Sequence, residues 1–508
     1  MKPKSVVVVG AGIGGLTAAA LLVKRGYQVT VYEQAAVTGG CASTFRRKDF
    51  IFDVGATQVA GLEVGGIHQR IFAELGLAVP AATYCDPSCA VLLPHESEPI
   101  NIWRSAAQWE AERQRQFPNS ESFWQFLGEL FTPSWQFQAR NPVLPPRNLW
   151  DLWQLTKAVR LDTLVTMPYI LATVGDALRG FGLAHDRRLR TFLDLQLKLY
   201  SQANSEETAL LYAATALGLQ QEPLGLFHLK GSMQVLSDLL SDYINANGGQ
   251  ILLRHRVIAI EPKQGTSQVQ VHNLKSNAQI PEIWWQPADH VIANVTVNDW
   301  VRLLGKHAPK GYRQRVENLP HGSVAFVVYL GVDRAAIPDN CPPHLQMLER
   351  YEDESIPSNS LQQKPHSLFI SVSQQGDGRA PDGKATIIAS EFTKPDLWWN
   401  ATADYQQLKT DFTARAIAQL KEYFDLDSKI LYQEAATPRT FARYTNRERG
   451  IVGGVGMRVN TFGPFGFANR TPFANIWLVG DSTHPGEGTA GVSYSALTTV
   501  RQIEAQDS

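Results

Sequence analysis

The longest apolar run near the amino terminus starts at Ser5 and reaches Val23 without a charged residue, and Lys24 and Arg25 close it. A hydropathy window would flag such a run as a membrane span or a signal peptide. Its internal pattern argues otherwise. Val6 to Val9 is a β-branched block suited to a strand buried on both faces, Gly10-Ala11-Gly12-Ile13-Gly14-Gly15 breaks it, and Leu16 to Arg25 reads as a helix. Val29 to Tyr32 predicts a second short strand that ends at Glu33. At the far end, Asn475 to Val479 predicts another buried strand, followed by a glycine-rich turn and a helix from about Val492. Between the ends, residues 301 to 450 alternate strands such as Val324 to Leu330 and Leu368 to Val372 with an amphipathic helix over Tyr405 to Tyr423. Glu349 to Lys364 reads as a polar loop.

Composition narrows the class. The chain has 508 residues, 44% hydrophobic and 19% charged, which excludes a disordered or fibrous protein and allows about three domain lengths of ~150 residues. A net charge of -1 supplies no electrostatic footprint for nucleic acid. Four scattered cysteines do not make a disulfide framework. Cys85 and Cys89 have no second Cys/His pair at zinc spacing, so no metal site is assigned and a reducing, cytoplasmic setting is expected. Half of the 12 tryptophans, Trp103, Trp109, Trp124, Trp135, Trp150 and Trp153, fall between residues 81 and 224. Trp150 to Leu183 mixes them with leucines and basic residues, and its longest uncharged stretch, Thr163 to Gly175, contains Pro168 and is too short to span a bilayer. Two readings remain open for it: a segment lying in a membrane interface, or an amphipathic helix packed on the core.

The glycines carry the first chemical signal. Gly10, Gly12 and Gly15 satisfy GxGxxG between a strand and a helix, with Glu33 near the expected offset. Gly10 permits the tight turn, Gly12 lets the backbone approach a pyrophosphate, and Gly15 lets the helix pack on the strand. Glu33 would accept hydrogen bonds from a ribose diol and repel a 2′-phosphate. The cluster Gly453-Gly454-Val455-Gly456 lacks a flanking strand, helix and acid, so a second dinucleotide site for NAD(P)H is not expected. Cys41 has no neighbouring partner for a redox dithiol.

Gly39-Gly40, Arg46, Arg47 and Phe52-Asp53-Val54-Gly55 resemble the amino-terminal signature of the FAD-dependent amine oxidase and carotenoid desaturase superfamily. Asn475 to Gly488 resembles the carboxy-terminal signature of bacterial-type phytoene desaturases and carotenoid isomerases. Gly231-Ser232-Met233, His255 to Ile260, His290 to Asn294, Thr437 to Thr440 and Arg449-Gly450 match in between. GGCASTF, FDVGATQVAG and YSQAN look closest to the cyanobacterial carotenoid 3′,4′-desaturases, with prolycopene-type isomerases next. Asp481 and Glu487 depart from that pattern, standing where small residues are usual.

The resemblance implies an α/β fold: a Rossmann-like FAD-binding domain of the p-hydroxybenzoate-hydroxylase and amine-oxidase type, with an inserted α+β substrate domain. The FAD-binding part would comprise residues 1–80, 225–300 and 451–508, and the substrate-binding, membrane-associating part residues 81–224 and 301–450. The expected cofactor-binding residues are Gly10, Gly12, Gly14, Gly15, Glu33, Gly39, Gly40, Arg46, Arg47, Gly55, Val257, Gly480, Asp481, Gly488, Gly491 and Val492. Asp481 would hydrogen-bond a ribityl or pyrophosphate hydroxyl, and the last helix would turn its positive end toward the flavin. The implied function is desaturation of an acyclic carotenoid end group at the 3′,4′ position, with hydride passing to flavin and electrons then to a quinone or oxygen. His484 and Glu487 are the candidate proton acceptors, each equally readable as a structural hydrogen-bond partner. The alternatives are a cis-trans isomerase using reduced FAD and a non-catalytic protein that binds flavin and polyene. A hydrophobic carotenoid substrate and peripheral association with a membrane are expected, with no nucleic acid, signal peptide or transmembrane helix.

Overall fold

Val6 to Val9 are all buried because the strand Ser5–Val9 is paired in parallel on both edges, with Gln28–Glu33 on one side and His290–Ala293 on the other. The computed structural model describes residues 3–275, 281–320, 322–355, 365–401 and 404–508. Its five-stranded parallel sheet has the spatial order Ile476–Leu478, His290–Ala293, Ser5–Val9, Gln28–Glu33, Gln250–Leu253. The strand order brings the two ends of the chain side by side.

The helix Ile13–Lys24 accounts for the apolar run. It packs between the helices Gln234–Ala246 and Thr489–Asp507 with every residue from Ile13 to Val23 buried. Such a helix needs no polar face, so it carries the composition of a membrane span without being one. It begins at Ile13, three residues earlier than the glycine pattern predicts, because Gly14 and Gly15 lie inside it where side chains would not fit. The last helix likewise starts at Thr489, before the predicted Val492, with Gly488 at its N-cap at φ +88°.

A second, seven-stranded sheet runs Ile430–Ala436, Val324–Asp333, Lys384–Thr393, Ser367–Val372, His344–Leu348, Cys89–Leu92, Ile100–Ile102. Its pairs are antiparallel except that between His344–Leu348 and Cys89–Leu92. Trp398, Phe412 and Leu420 cover one face, on helices Pro395–Asn400 and Tyr405–Leu420. The helix ends at Leu420, slightly short of the predicted Tyr423. On the opposite face, Ala325, Val327 and Tyr329 meet Phe50 and Phe52 of the hairpin Thr44–Arg47/Phe50–Asp53. A third sheet, His255–Glu261, Ser267–Asn273 and Ile283–Ala288, flanks the parallel one. Of the predicted polar loop, residues 356–364 lie outside the described residues.

The tryptophans divide by position. Trp109 and Trp124 are core residues, packed with Phe123 and Phe192 among the helices Ala106–Gln116, Glu121–Ala139 and Arg187–Ser201. Trp153 is exposed on the helix Leu149–Ala158. Leu149, Leu161, Leu164, Val165, Met167 and Leu171 are exposed with it, so the stretch 149–171 turns an apolar surface outward. Among the described residues no helix is long and apolar enough to cross a membrane.

Candidate active site and flavin cleft

A single cavity of about 1570 Å³ begins at the glycine turn, passes the carboxy-terminal loop and ends among the helices and the seven-stranded sheet. At its start, a Cβ on Gly15 would overlap the Gly10 carbonyl oxygen, and one on Gly14 would lie 2.9 Å from Asn294 Oδ1 and 3.2 Å from Val479 Cγ1. Glycine is therefore required by close packing. Gly12 lines the cavity and bridges Gly39, which turns at φ +107°, while Gly40 lies against Gly12. Backbone and the helix amino terminus, free of side chains, thus face the cleft where a pyrophosphate would sit.

Glu33 lines the cavity and is buried, with Oε2 accepting from Ala11 N at 2.8 Å and Oε1 from Ala35 N at 2.7 Å. Burial raises its pKa, and the backbone amides of Ala35, Ala11 and Gln34 oppose that shift. The carboxylate thus also braces the glycine turn, a role its strand-end position did not reveal, and keeps acceptor capacity for a ribose hydroxyl. Val257 is a buried cavity residue on the strand His255–Glu261, next to Arg256. Arg46 and Arg47 are exposed at the rim, and Arg47 is drawn away to Glu434 at 3.0 Å. Gly55 packs 2.9 Å, measured from an added Cβ, from the Cys41 carbonyl oxygen.

The carboxy-terminal loop holds the site's ionisable groups. Gly480, Gly488, Gly491 and Val492 line the cavity, and the helix Thr489–Asp507 starts there. Asp481 lines the cavity and is held by an ion pair: its Oδ2 is 2.6 Å from Arg447 Nη2, and Arg447 Nη1 donates to Gly453 O at 2.7 Å. The pair engages Oδ2 of the carboxylate. The glycine cluster 453–456 makes the bed for this loop. A Cβ on Gly453 would overlap Glu487 Oε2, and one on Gly454 would overlap the Asp481 carbonyl.

His484 and Glu487 both face the cavity and have opposite electrostatic settings. His484 is buried, which lowers its pKa to about 4, so it is neutral at neutral pH. Its Nε2 sits 2.8 Å from Gln138 Nε2 and 3.1 Å from Gln138 Oε1, and Nδ1 has no partner among the described residues. Burial pushes the Glu487 carboxyl up to about 8, and the Asp481 charge adds to this. Gln202, the Gly454 N–H and Arg447 work against it. Glu487 is therefore mostly protonated at pH 7. Gln138, Gln202, Asn294 and Arg447 escaped sequence reasoning. They carry no periodic or spacing signal, although Gln202 lies within YSQAN and Asn294 ends the quoted strand.

Beyond these groups the cavity becomes apolar, bounded by Trp135, Leu155, Val159, Met167 and Ile170 on one side and by Val327, Ile388 and Phe441 on the other. The residues fit a flavin dinucleotide: a side-chain-free cradle at Gly10, Gly12 and Gly14, a buried acid at Glu33, and a second helix amino terminus at Gly488, all on one cavity.

A family model described as flavin containing amine oxidoreductase matches residues 13–504. Prolycopene isomerase, chloroplastic, from Daucus carota is 25% identical over 520 residues, covering 98% of this chain and 80% of the relative. The 4,4′-diapophytoene desaturase (4,4′-diapolycopene-forming) of Methylomonas sp is 24% identical over 518 residues, covering 98% and 95%. Among solved structures, wild-type putrescine oxidase bound to putrescine aligns with a TM-score of 0.66 at 14% identity, covering 99% of each chain. An oxidoreductase from Methanosarcina mazei aligns with a TM-score of 0.62 at 18% identity, covering 98% of this chain and 100% of that one. With the glycine cradle and the cleft already in place, these matches show that the chain belongs to the flavin-containing amine oxidoreductase family and is an FAD-dependent oxidoreductase.

Proposed function

We propose that the chain is a carotenoid desaturase that forms a 3′,4′ double bond in an acyclic end group. The observation that carries this reading is the continuity of one cavity from the flavin cradle into a long apolar chamber, which suits an extended hydrocarbon better than a charged amine. The desaturase relative from Methylomonas sp supports it. Bound in the cleft, FAD supplies two-electron oxidation, with a quinone or oxygen as the final acceptor. The chain's own residues do the rest. Apolar walls hold the polyene and exclude water, and His484, which faces the cavity, is the candidate acceptor of the proton lost from carbon, a weak base because burial lowers its pKa to about 4. The cofactor residues keep the roles given above, with Asp481 acting through Arg447.

A second reading, cis-trans isomerisation, has equal support from the prolycopene isomerase relatives. The observation favouring it is Glu487, a protonated carboxyl facing the cavity and able to donate to a polyene. Membrane association belongs to the same proposal: the exposed apolar stretch 149–171 contributes cavity-lining Leu155, Val159, Met167 and Ile170, which would let substrate enter from a cytoplasmic bilayer face. So does the division of labour between segments 1–80, 225–300 and 451–508 and segments 81–224 and 301–450, supported by which strands build each large sheet.

Anaerobic mixing of holoenzyme with an acyclic carotene tests the choice. Stoichiometric flavin bleaching with a red-shifted product is the desaturase outcome. A geometric isomer formed with the flavin's redox state unchanged rejects desaturation in favour of isomerisation.

A further inference from the structure

Gln202 ends the helix Arg187–Ser201 with φ +59°, a left-handed conformation uncommon for a residue with a side chain, and it is buried. Its Nε2 donates to both carboxyl oxygens of Glu487, at 3.3 and 3.2 Å. Gly453, at φ +73°, leaves the space this contact occupies, because a Cβ there would overlap Glu487 Oε2 and lie 2.9 Å from Gln202 Nε2. Gln202 Oε1 is buried and unpartnered among the described residues. Three segments distant in the chain thus converge on one carboxyl.

We infer that Gln202 and Gly453 form a seat for the Glu487 carboxyl, with Gln202 as a positioning residue that fixes its orientation and sets the pH at which it loses its proton. An amide that donates to both oxygens stabilises the ionised form over the neutral one and offsets part of the cost of burial. Without it, burial would hold the proton to higher pH. The other groups facing the site are the Asp481–Arg447 pair, His484 on the same loop, Tyr212, and Lys198, whose Nζ donates to the Gln202 carbonyl at 3.3 Å. Arg458 on the glycine-bed loop is held by Glu207 at 3.0 Å. Tyr212 donates to the Tyr200 carbonyl. Asp481, Arg447 and Arg458 are thus tied in named pairs, and Gln202 is the neutral donor through which the carboxyl is adjusted. This inference rests on the cavity reading above and concerns the site whichever reaction it serves.

The test is an infrared pH titration of holoenzyme, following the protonated-carboxyl stretch that disappears in Glu487→Gln. Gln202→Met keeps the side-chain length and removes the amide. Its midpoint should rise by about one to two pH units, the size expected for losing a hydrogen bond to a charged group. A midpoint equal to the wild type in a Gln202→Met protein of full flavin content overturns the inference. If that variant does not fold, Gln202→Asn, which retracts the same amide, must show the upward shift instead. A shifted midpoint together with full turnover by Glu487→Gln leaves the seat standing and overturns only a reactive role for the carboxyl.

Discussion

Arg379 Nε and Nη2 lie 3.1 and 3.0 Å from Asp53 Oδ2, in a pair shut off from solvent on both sides. The same guanidinium donates to the Leu229 carbonyl at 2.7 Å, contacts Asp377 at 3.2 Å and lies 2.9 Å from His228 Nε2. Asp53 Oδ1 accepts from Met233 N at 2.9 Å. One arginine from the loop after Ser367–Val372 thus ties the aspartate of the F-D-x-G turn to the strand Phe227–Leu229 and the start of the helix Gln234–Ala246. Removing one partner of a buried pair strands the other charge.

Arg379→Met should therefore destabilise the protein by about 3–5 kcal/mol, read by denaturant unfolding. The double variant with Asp53→Asn should cost clearly less than the sum of the two singles, and additive losses would contradict a direct coupling.

Gly15→Ala places a methyl against the Gly10 carbonyl within the turn that cradles the cofactor. The purified variant is expected to lose most of its flavin, seen in the ratio of visible to ultraviolet absorbance. Full flavin occupancy would show that the helix can move away from the strand.

The two buried groups of the carboxy-terminal loop predict opposite pH dependences of stability. Glu487 has its pKa raised from 4.5 to about 8, so the folded protein keeps a proton that the unfolded chain releases. Its contribution is full at low pH and falls by ~1.4 kcal/mol per pH unit as pH rises between those values. His484 is lowered from 6.5 to about 4, so its contribution is full above 6.5 and is lost as pH falls toward 4. Above pH 6.5 only the Glu487 slope remains, and Glu487→Gln should flatten the melting temperature between pH 6.5 and 8. Below pH 4.5 the His484 slope is shared with His68 and His344, whose pKa values burial also lowers, so His484→Gln should make that limb shallower without abolishing it. Unchanged slopes in both variants would refute the settings assigned to these groups.

Leu149 and Leu161 are each 84% exposed, and neither is needed to hold its helix in place. The double variant Leu149→Asp/Leu161→Asp should retain flavin while liposome co-sedimentation weakens by about 100- to 10,000-fold, as expected for losing two leucine insertions of about 1.5–3 kcal/mol each. Undiminished co-sedimentation would place any membrane contact elsewhere.

What the sequence determined by itself follows from local physics. The β-branched block, glycine turn and following helix at residues 5–24 have one stable arrangement, so the dinucleotide cradle was legible from spacing. The strand and glycine-rich turn at 476–491 were legible for the same reason. The apolar character of Trp150 to Leu183 could be seen, but not whether it faced the core or solvent, because amphipathic periodicity does not name the partner of a face. The tertiary structure decided that apolar residues up to Leu171 turn outward while Val174, Leu178 and Leu183 turn in, as do Trp109 and Trp124. It also decided the electrostatics of the site. The pairing of Asp481 with Arg447 has no sign in the spacing of either residue, and the cluster Gly453 to Gly456 has no local purpose until Glu487 is seen resting on it. Buried polar groups must find partners wherever the chain happens to pass, often hundreds of residues away. No pattern along the sequence records where that is.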